Sequence, residues 1–460
     1  MGVSTFREIR EEIMSCARCG NREKVIGRGS LSPVILFIGL NPGVEEVRVG
    51  APFVGPSGKL LDEWVKHWNL PNNAIAITNI VKCHTPNEAG VTGEMLQNCK
   101  EYLDRQIDYL KPDMIISLGR LASEALKGSS VNITKDIGPY EYKGVPLYTL
   151  PHPSYYLRGG GDWTGTINKF IPTYTPIHVH SEYSVMDGIG SVESRVKAAA
   201  EMGFRSLALT DHGTLSGLYD FQLNCKKYKI KPIFGCEFYV TDTLNRENGD
   251  RYHLVLLAKD NIGLRNLFKL NHIAHENFYY KPRVTIDLIS DYSEGLIAST
   301  ACVGGVISRR IINSDFDIAR DTLSDLKAIF GDDLYVEVQP HKFEEQVMVN
   351  PKLIEYADEY DVEVVIGTDV HYNNRGDKFI YDVVKAILFN KKVGEGSIEG
   401  DTYHLMRPDE LFYAGAEANI PPEVMRRAMI NTHRIARECN ARIEFHSSVY
   451  PRFRREWLDW

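Results

Sequence analysis

The chain has 460 residues, 43% of them hydrophobic and 25% charged, with a formal net charge of −8. At roughly 150 residues per domain, this composition predicts two or three globular domains. No apolar run reaches about 18 residues, which argues against a membrane span, and the charged opening MGVSTFREIREEIMSC lacks the apolar core of a signal peptide. A cytoplasmic protein without a membrane partner is therefore expected, and its eight cysteines are expected to be metal ligands or core residues rather than disulfides.

Charge is divided unevenly. Residues 1–172 carry a net charge of +1 and the remainder −9. A nucleic-acid partner would then be held by local basic patches, or by metals that offset the acidic half. The best boundary is LRGGGDWTGTINKFIPTYTP, where three glycines are followed by Pro172 and Pro176.

In chain order, a charged helical stretch opens the first half. The apolar runs VILFIGL (34–40), AIAITNIV (74–81), MIISLG (114–119) and PLYTLPHPS (146–154) follow, with helical patterns such as GEMLQNCKEYLDRQIDYLKP (93–112) between them. Short continuous apolar strands alternating with helices predict a buried parallel sheet. Cys16 and Cys19 form a Cys-x-x-Cys pair, and Cys83 and Cys99 follow at wider spacing. Four thiolates suit a [4Fe–4S] cluster or a tetrahedral zinc, and spacing does not separate the two.

The second half repeats the rhythm with SLALT (206–210), PIFGCEFYV (232–240), HLVLLA (253–258), LIAST (296–300), LYVEVQP (334–340) and VVIGTDVHY (364–372). This alternation predicts a closed barrel or a large open sheet, with functional residues at the strands' C-terminal ends. Asn350-Pro351 reads as an N-cap and first-turn proline. His178 and His180, two apart, point the same way from an extended segment. Further donors stand at strand ends: Asp211, His212, Glu237, His253, Cys302, Asp369 and His371. Carboxylate, imidazole and thiolate bind Zn, Mn or Fe ions, and so many exceed the needs of one ion. A cluster of two or three metals can use them. Such a cluster acidifies water and stabilises charge on the oxygens of a phosphoester. Cys225, Cys236 and Cys439 read as core residues, and His341 as the remaining histidine nearest the site.

HVHSEYSVMDG, LALTDHGTLSGLYDF, IKPIFGCEFYV, HLVLLAKD and TDVHY resemble the polymerase-and-histidinol-phosphatase (PHP) domain of bacterial DNA polymerase III alpha subunits, over about residues 176–446. The resemblance implies a distorted barrel. It also implies metal ligands at His178, His180, Asp187, His212, Glu237, His253, Cys302, Asp369 and His371, and 3′-to-5′ exonuclease action. The closing residues 447–460 read as a tail without an acidic palm motif, so a chain that does not polymerise by itself is expected.

IGLNPG (38–43), APFVGPSGKLLDEW (51–64), TNIVKCHTP (78–86) and PHPSYYLRGG (151–160) resemble the uracil-DNA glycosylase superfamily, most nearly its iron–sulfur family 4, over about residues 5–170. The resemblance implies that Phe53 stacks on uracil, Asn79 reads its polar edge and His152 stabilises charge on the departing base. Asn41 would position water, and Ser154 and Arg158 the DNA backbone. It favours iron–sulfur over zinc at Cys16, Cys19, Cys83 and Cys99. Leu40 departs from family 4, which has glutamate there, and puts base preference and rate in question.

The expected fold class is α/β. A three-layer α/β/α parallel-sheet domain (1–170) is joined by a linker (171–175) to a distorted (β/α) PHP barrel (176–446). The expected function is DNA replication or repair, combining base excision with 3′-end trimming, with DNA and a separate polymerase subunit or other replication proteins as partners. Two alternatives stand beside it: a non-catalytic DNA-binding scaffold, such as a fragment of a split polymerase, and a small-molecule phosphatase of the PHP type.

Overall fold

The computed structural model describes residues 5–20, 22–68, 70–85, 90–246, 249–395 and 402–444. His446 and the expected tail, 447–460, lie outside the described residues. Among the described residues no helix is long and apolar enough to cross a membrane.

The first half holds a six-stranded sheet. Its strands are β1 (Arg28–Gly29), β2 (Ile35–Gly39), β3 (Ile75–Asn79), β4 (Met114–Leu118), β5 (Tyr140–Tyr142) and β6 (Val145–Leu150), in the order β1-β3-β2-β4-β6-β5. The four central strands run parallel, as the continuous apolar runs predict. Two short antiparallel edges, β1 and β5, carry no such signal. Side chains of β2 alternate between two cores. Ile35 and Phe37 join Leu60, Leu61 and Trp64 of the helix Pro56–His67 on one face. Leu36 and Ile38 join Leu103 and Ile107 of the helix Gly93–Leu110 on the other. A strand apolar on both faces needs both layers, which makes the α/β/α sandwich.

Seven strands build the second half: β7 (Ser206–Leu209), β8 (Lys231–Val240), β9 (Tyr252–Ala258), β10 (Arg283–Val284), β11 (Leu296–Ser299), β12 (Leu334–Val338) and β13 (Glu363–Ile366). They run β10-β8-β9-β11-β12-β13, with β7 on β8. β9 is antiparallel to both neighbours, and the other pairings are parallel. The extended segment at 176–180 spans the remaining gap. It pairs with β7 through Ala208 N–H to Pro176 O and Thr210 N–H to Val179 O, and with the chain beyond β13 through a Val179–Val370 bridge. The result is a distorted barrel.

Alternation sorts this barrel's residues too. Leu207, Leu209, Phe234, Phe238, Leu254, Leu256 and Val336 pack outward against helices. Ala208, Ile233, Val255, Leu257, Ile297, Tyr335 and Val365 fill the interior. Each inward row is apolar at one end and carries polar donors at the other, as from Ile233 to Glu237 on β8 and from Leu257 to His253 on β9. Asn350 and Pro351 do not start a helix. Both lie inside the helix Glu344–Glu359. There Asn350, fully buried, donates to Gln339 O (2.9 Å) and Ala418 O (2.8 Å), and these tertiary bonds override the local signal.

The helix Pro422–Glu438 joins the halves. Its Ile435 and Ala436 plug the apolar end of the barrel, while Ile430 sits in the first half's core. Arg426 donates to Phe170 O at 2.9 Å and to Asn168 O, and Arg437 pairs with Asp113 at 2.7 Å. Tyr174 and Thr175, within the expected linker, are buried, and Thr175 N–H donates to Thr432 Oγ1 at 2.8 Å. Asp113 precedes β4 and Arg205 precedes β7, and Arg205 donates to Pro112 O at 3.2 Å. The halves thus meet at the N-terminal ends of their parallel strands, and both sets of C-terminal ends face away from the joint. Replacing Ile430 with alanine should cost about 2–5 kcal/mol by emptying a buried site shared by both halves. Urea unfolding checks this, and an unchanged midpoint would remove this helix from the joint.

Candidate metal centre and first-half pocket

Because donors occupy the polar end of each inward row, the barrel's C-terminal rim gathers them. The Glu237 carboxylate is fully buried at the centre. His178 Nε2 and His180 Nε2 each lie 3.3 Å from its Oε2, His212 Nδ1 lies 2.8 Å from the same oxygen, and His253 Nδ1 lies 2.8 Å from Oε1. Asp369 Oδ1 is 3.3 Å from His178 Nε2 and 3.0 Å from His180 Nε2. Asp187 reaches His212 Nε2 at 3.2 Å and His371 Nε2 at 3.1 Å. Cys302 Sγ lies 3.3 Å from His253 Nδ1 and 3.7 Å from Glu237 Oε1. All nine residues expected as ligands therefore meet in one pit.

Within it, three groups of donor atoms each lie within 4.8 Å of one another: His178, His180, Glu237 and Asp369; His212, Glu237 and His253; and His180, His212 and His371. Overlapping groups suit ions that share ligands. His178 Nε2, His212 Nδ1 and Glu237 Oε2 are buried and, although both nitrogens lie within 3.3 Å of that oxygen, form no well-aligned hydrogen bond. A buried polar atom without a partner is costly, so this donor set fits bound cations.

Neighbours aim the rings. His178 Nδ1 donates to Glu337 Oε1 (2.7 Å), His180 Nδ1 meets Ser184 Oγ (3.0 Å), and His371 Nδ1 donates to Asp369 O (2.6 Å). Each bond commits Nδ1 and turns Nε2 into the pit, the usual arrangement around a bound metal. Glu337 is itself held by Ser299 Oγ (2.6 Å) and Gln339 Nε2 (2.7 Å). Sequence reasoning missed Glu337, although a carboxylate amid the apolar LYVEV was a signal. It also missed Lys385, which pairs with Asp187 and carried none. Met186 (φ 64°), Ala301 (φ 60°) and Asp369 (φ 46°), at or beside ligands, adopt left-handed backbone, the strain that functional sites tolerate.

Charge in the pit is strongly coupled. Burial opposes ionisation of Glu237, but the imidazoles of His253, His212 and His178 hold it well below the usual carboxylate range. Burial likewise opposes charge on His212, yet Glu237 and Asp187 lift it to about 10. His180 is lowered by burial and by its neighbours His212 and His371. Burial, followed by the charges of Glu237 and Asp369, raises the Cys302 thiol. His341, beyond the C-terminal end of β12, is fully buried, with Nδ1 on Thr402 Oγ1 (2.6 Å) and its ring stacked at 4.1 Å on Tyr403, whose ring meets His371 at 5.5 Å. Burial lowers it to about 3.

A cavity of about 380 Å³ opens at the C-terminal ends of the first-half strands, lined by Asn41, Phe53, His84, Thr85 and His152 among others. The rings of Phe53 and His152 lie 5.5 Å apart. Phe53 (φ 54°) is held by its N–H to Glu46, whose other oxygen accepts from Gly43 N–H. Asn79 is buried beside Phe53, and its Nδ2 has no partner. Gly39 permits that approach, because a Cβ there would stand 2.4 Å from Asn79 Oδ1 and 2.8 Å from Phe53 Cε2. Asn41 Nδ2 donates to Thr85 Oγ1 at 2.9 Å. Ser154 donates its backbone N–H to His152 Nδ1 (3.2 Å), and its hydroxyl lies 2.8 Å from the same nitrogen. Burial, with the nearby charge of Arg158, lowers His152 to about 4. Arg158 itself is exposed at the end of the helix Pro153–Leu157. His84, not singled out from sequence, donates Nδ1 to Pro42 O at 2.9 Å on the cavity wall.

Cys83 and Cys99 pack together with Cys19 at their edge. Burial raises the Cys83 thiol, and the charges of Cys99, Cys19 and Cys16 add to it, so the four sulfurs share one neighbourhood. Among the described residues, the groups of three or more donors within 4.8 Å of one another all lie in the second half. Sulfurs around a single zinc, at about 2.3 Å from the ion, would stand closer than that.

Comparison with known proteins bears on both halves. Residues 26–170 match the family model for the uracil DNA glycosylase superfamily, and residues 176–341 match that for the PHP domain. DNA polymerase III subunit alpha of Borreliella burgdorferi is 36% identical over 293 residues, covering 62% of this chain and 25% of that subunit. The same subunit of Aquifex aeolicus is 36% identical over 294 residues, covering 60% and 25%. The chain thus spans about a quarter of the length of these relatives. Among solved structures, an amidohydrolase from Chromobacterium violaceum aligns with a TM-score of 0.32 and 16% identity, over 43% of this chain and 88% of its own. The chain carries a region of the uracil DNA glycosylase superfamily followed by a PHP domain that is similar to the matching part of DNA polymerase III alpha subunits.

Proposed function

We propose that the protein acts on DNA in replication or repair, with a metal-dependent phosphodiesterase in its second half that trims 3′ ends and a first half that excises uracil. The observation that carries the first part is the convergence of nine donor side chains in one pit around the buried Glu237, with buried ligand atoms that form no well-aligned hydrogen bond. His178, His180, Asp187, His212, Glu237, His253, Cys302, Asp369 and His371 would hold two or three divalent ions, with Mn, Zn and Fe all suited to such donors. When bound, such ions supply Lewis-acid chemistry suited to a phosphodiester. The chain's own part is to set the donors in place: Glu337, Ser184 and the Asp369 carbonyl fix three rings through Nδ1. Lys385 balances the charge of Asp187.

The reading of the first half rests on the neighbourhood of Phe53, Asn79 and His152. A flipped base would stack on Phe53 and meet the amide of Asn79. His152 is neutral at physiological pH because burial lowers it. Its Nδ1 accepts from Ser154 N–H, so its N–H sits on Nε2 and can donate a hydrogen bond to the oxygen of a departing uracil, stabilising the charge that develops there. Asn41, fixed through Thr85, positions the water. Cys16, Cys19, Cys83 and Cys99 would hold a structural [4Fe–4S] cluster, and their spread favours this over a single zinc. DNA and a polymerase subunit or other replication protein are the proposed partners.

Three results are expected. With manganese present, His180→Ala should lower nucleotide release from single-stranded DNA by on the order of 100-fold or more, because groups that merely orient ligands already count for 10- to 100-fold. Unchanged release would remove the pit as the catalyst. In a uracil-excision assay, His152→Ala should reduce the rate by about 10²–10³-fold while leaving strand trimming intact. Protein purified without oxygen should absorb near about 400 nm, and Cys83→Ala should abolish the band. A colourless protein with one zinc per chain at these cysteines would favour the zinc reading.

A further inference from the structure

The segment NFYYKPRV (277–284) runs into β10, whose Arg283 and Val284 pair with Tyr239 and Val240 at the C-terminal end of β8. It therefore stands on the rim of the pit. Tyr280 is 70% exposed in left-handed backbone (φ 60°), and Phe278 is 50% exposed. The rings of Tyr279 and Tyr280 meet at 4.6 Å. Arg251 lies over Tyr280 (5.7 Å) and Arg283 over Tyr279 (5.0 Å).

Inward of these, Lys281 Nζ lies 5.2 Å from the centre of the Tyr239 ring. Tyr239 stacks on His212 at 5.7 Å and meets His253 edge-on at 5.3 Å. Rings on the rim, half-buried at Tyr279 and exposed at Tyr280, are followed along the chain by Lys281 and, through it, by a ring touching two pit histidines. No ion pair to a carboxylate engages Lys281 or Arg251 among the described residues. The second half carries a net charge of −9, so this basic patch is local and sits at the mouth of the pit.

We propose that this line is a track for an unpaired DNA strand entering the pit by its 3′ end. Tyr279 and Tyr280 stack bases, and Lys281 and Arg251 pair with the phosphates behind the end. The inference rests on the phosphodiesterase reading and adds the surface that would receive the strand. Two features favour a single strand. Stacking on protruding rings needs unstacked bases, and aromatic faces interleaved with cations are what sequence-tolerant single-strand binders use. A small phosphomonoester held by the donors would have no use for stacking rings on the rim.

The test irradiates the metal-free protein with an oligothymidylate that carries 4-thiothymidine near its 3′ end, and maps the crosslinked peptides by mass spectrometry. Crosslinks are expected within residues 278–283. The double variant Tyr280→Ala, Lys281→Ala should lose about tenfold in their yield, the scale of one stacked base, with its thermal midpoint unchanged. Crosslinks confined to other segments, or an undiminished yield in the double variant, would overturn the track. Hydrolysis plays no part in this assay. Crosslinks at the rim in a protein that cleaves no DNA would support the track and remove only the phosphodiesterase reading.

Discussion

The second half is organised around one buried carboxylate. Glu237 lies within 3.3 Å of imidazole nitrogens from four histidines, which arrive from the 176–180 segment, the end of β7 and the start of β9. An ionised group removed from water costs several kcal/mol unless it is paired or coordinates metal. The barrel meets this constraint by turning the polar end of every inward row toward the same point. The left-handed backbone at Asp369 and beside Asp187 and Cys302 is what such convergence requires of the chain.

The same alternation that makes the pit makes the joint. Inward rows that end in donors at the rim begin with Ala208, Ile233 and Val365 at the floor, and an apolar floor needs a plug. The helix Pro422–Glu438 is that plug, and its far side reaches the first half's core through Ile430. The first-half cavity and the pit consequently sit at the outward ends of two sheets docked through their N-terminal ends. Such an arrangement lets each half keep its own approach for a partner. It also means that a base held in one cavity and a strand end in the pit belong to opposite sides of the molecule.

Much of this was legible in the sequence, because its signals are local. Continuous apolar runs gave the strands of both halves, and position at strand ends gave most of the donors: chain direction sends His212, Glu237, Cys302 and Asp369 to one rim, and His253 joins them from the start of β9, whose antiparallel course the sequence did not signal. What was not legible depends on tertiary partners. β1, β5 and β10 are two or three residues long and owe their pairing to neighbouring strands. Asn350 and Pro351 imitate a helix start, but buried bonds to Gln339 and Ala418 hold them in mid-helix. Lys385 lies on a helix well after TDVHY, and nothing in its surroundings along the chain predicts its contact with Asp187. Glu337 was readable in principle, as a carboxylate on the inward parity of an apolar strand.

The claim that Glu237 ties several cations into one centre is open to direct measurement. Metal-stripped protein can be titrated with manganese, with the unbound ion followed by its electron paramagnetic resonance signal. The account predicts two or three tightly held ions per chain, and at most one after Glu237→Gln. Wild-type protein that binds none, or a variant that binds as many as wild type, would contradict it.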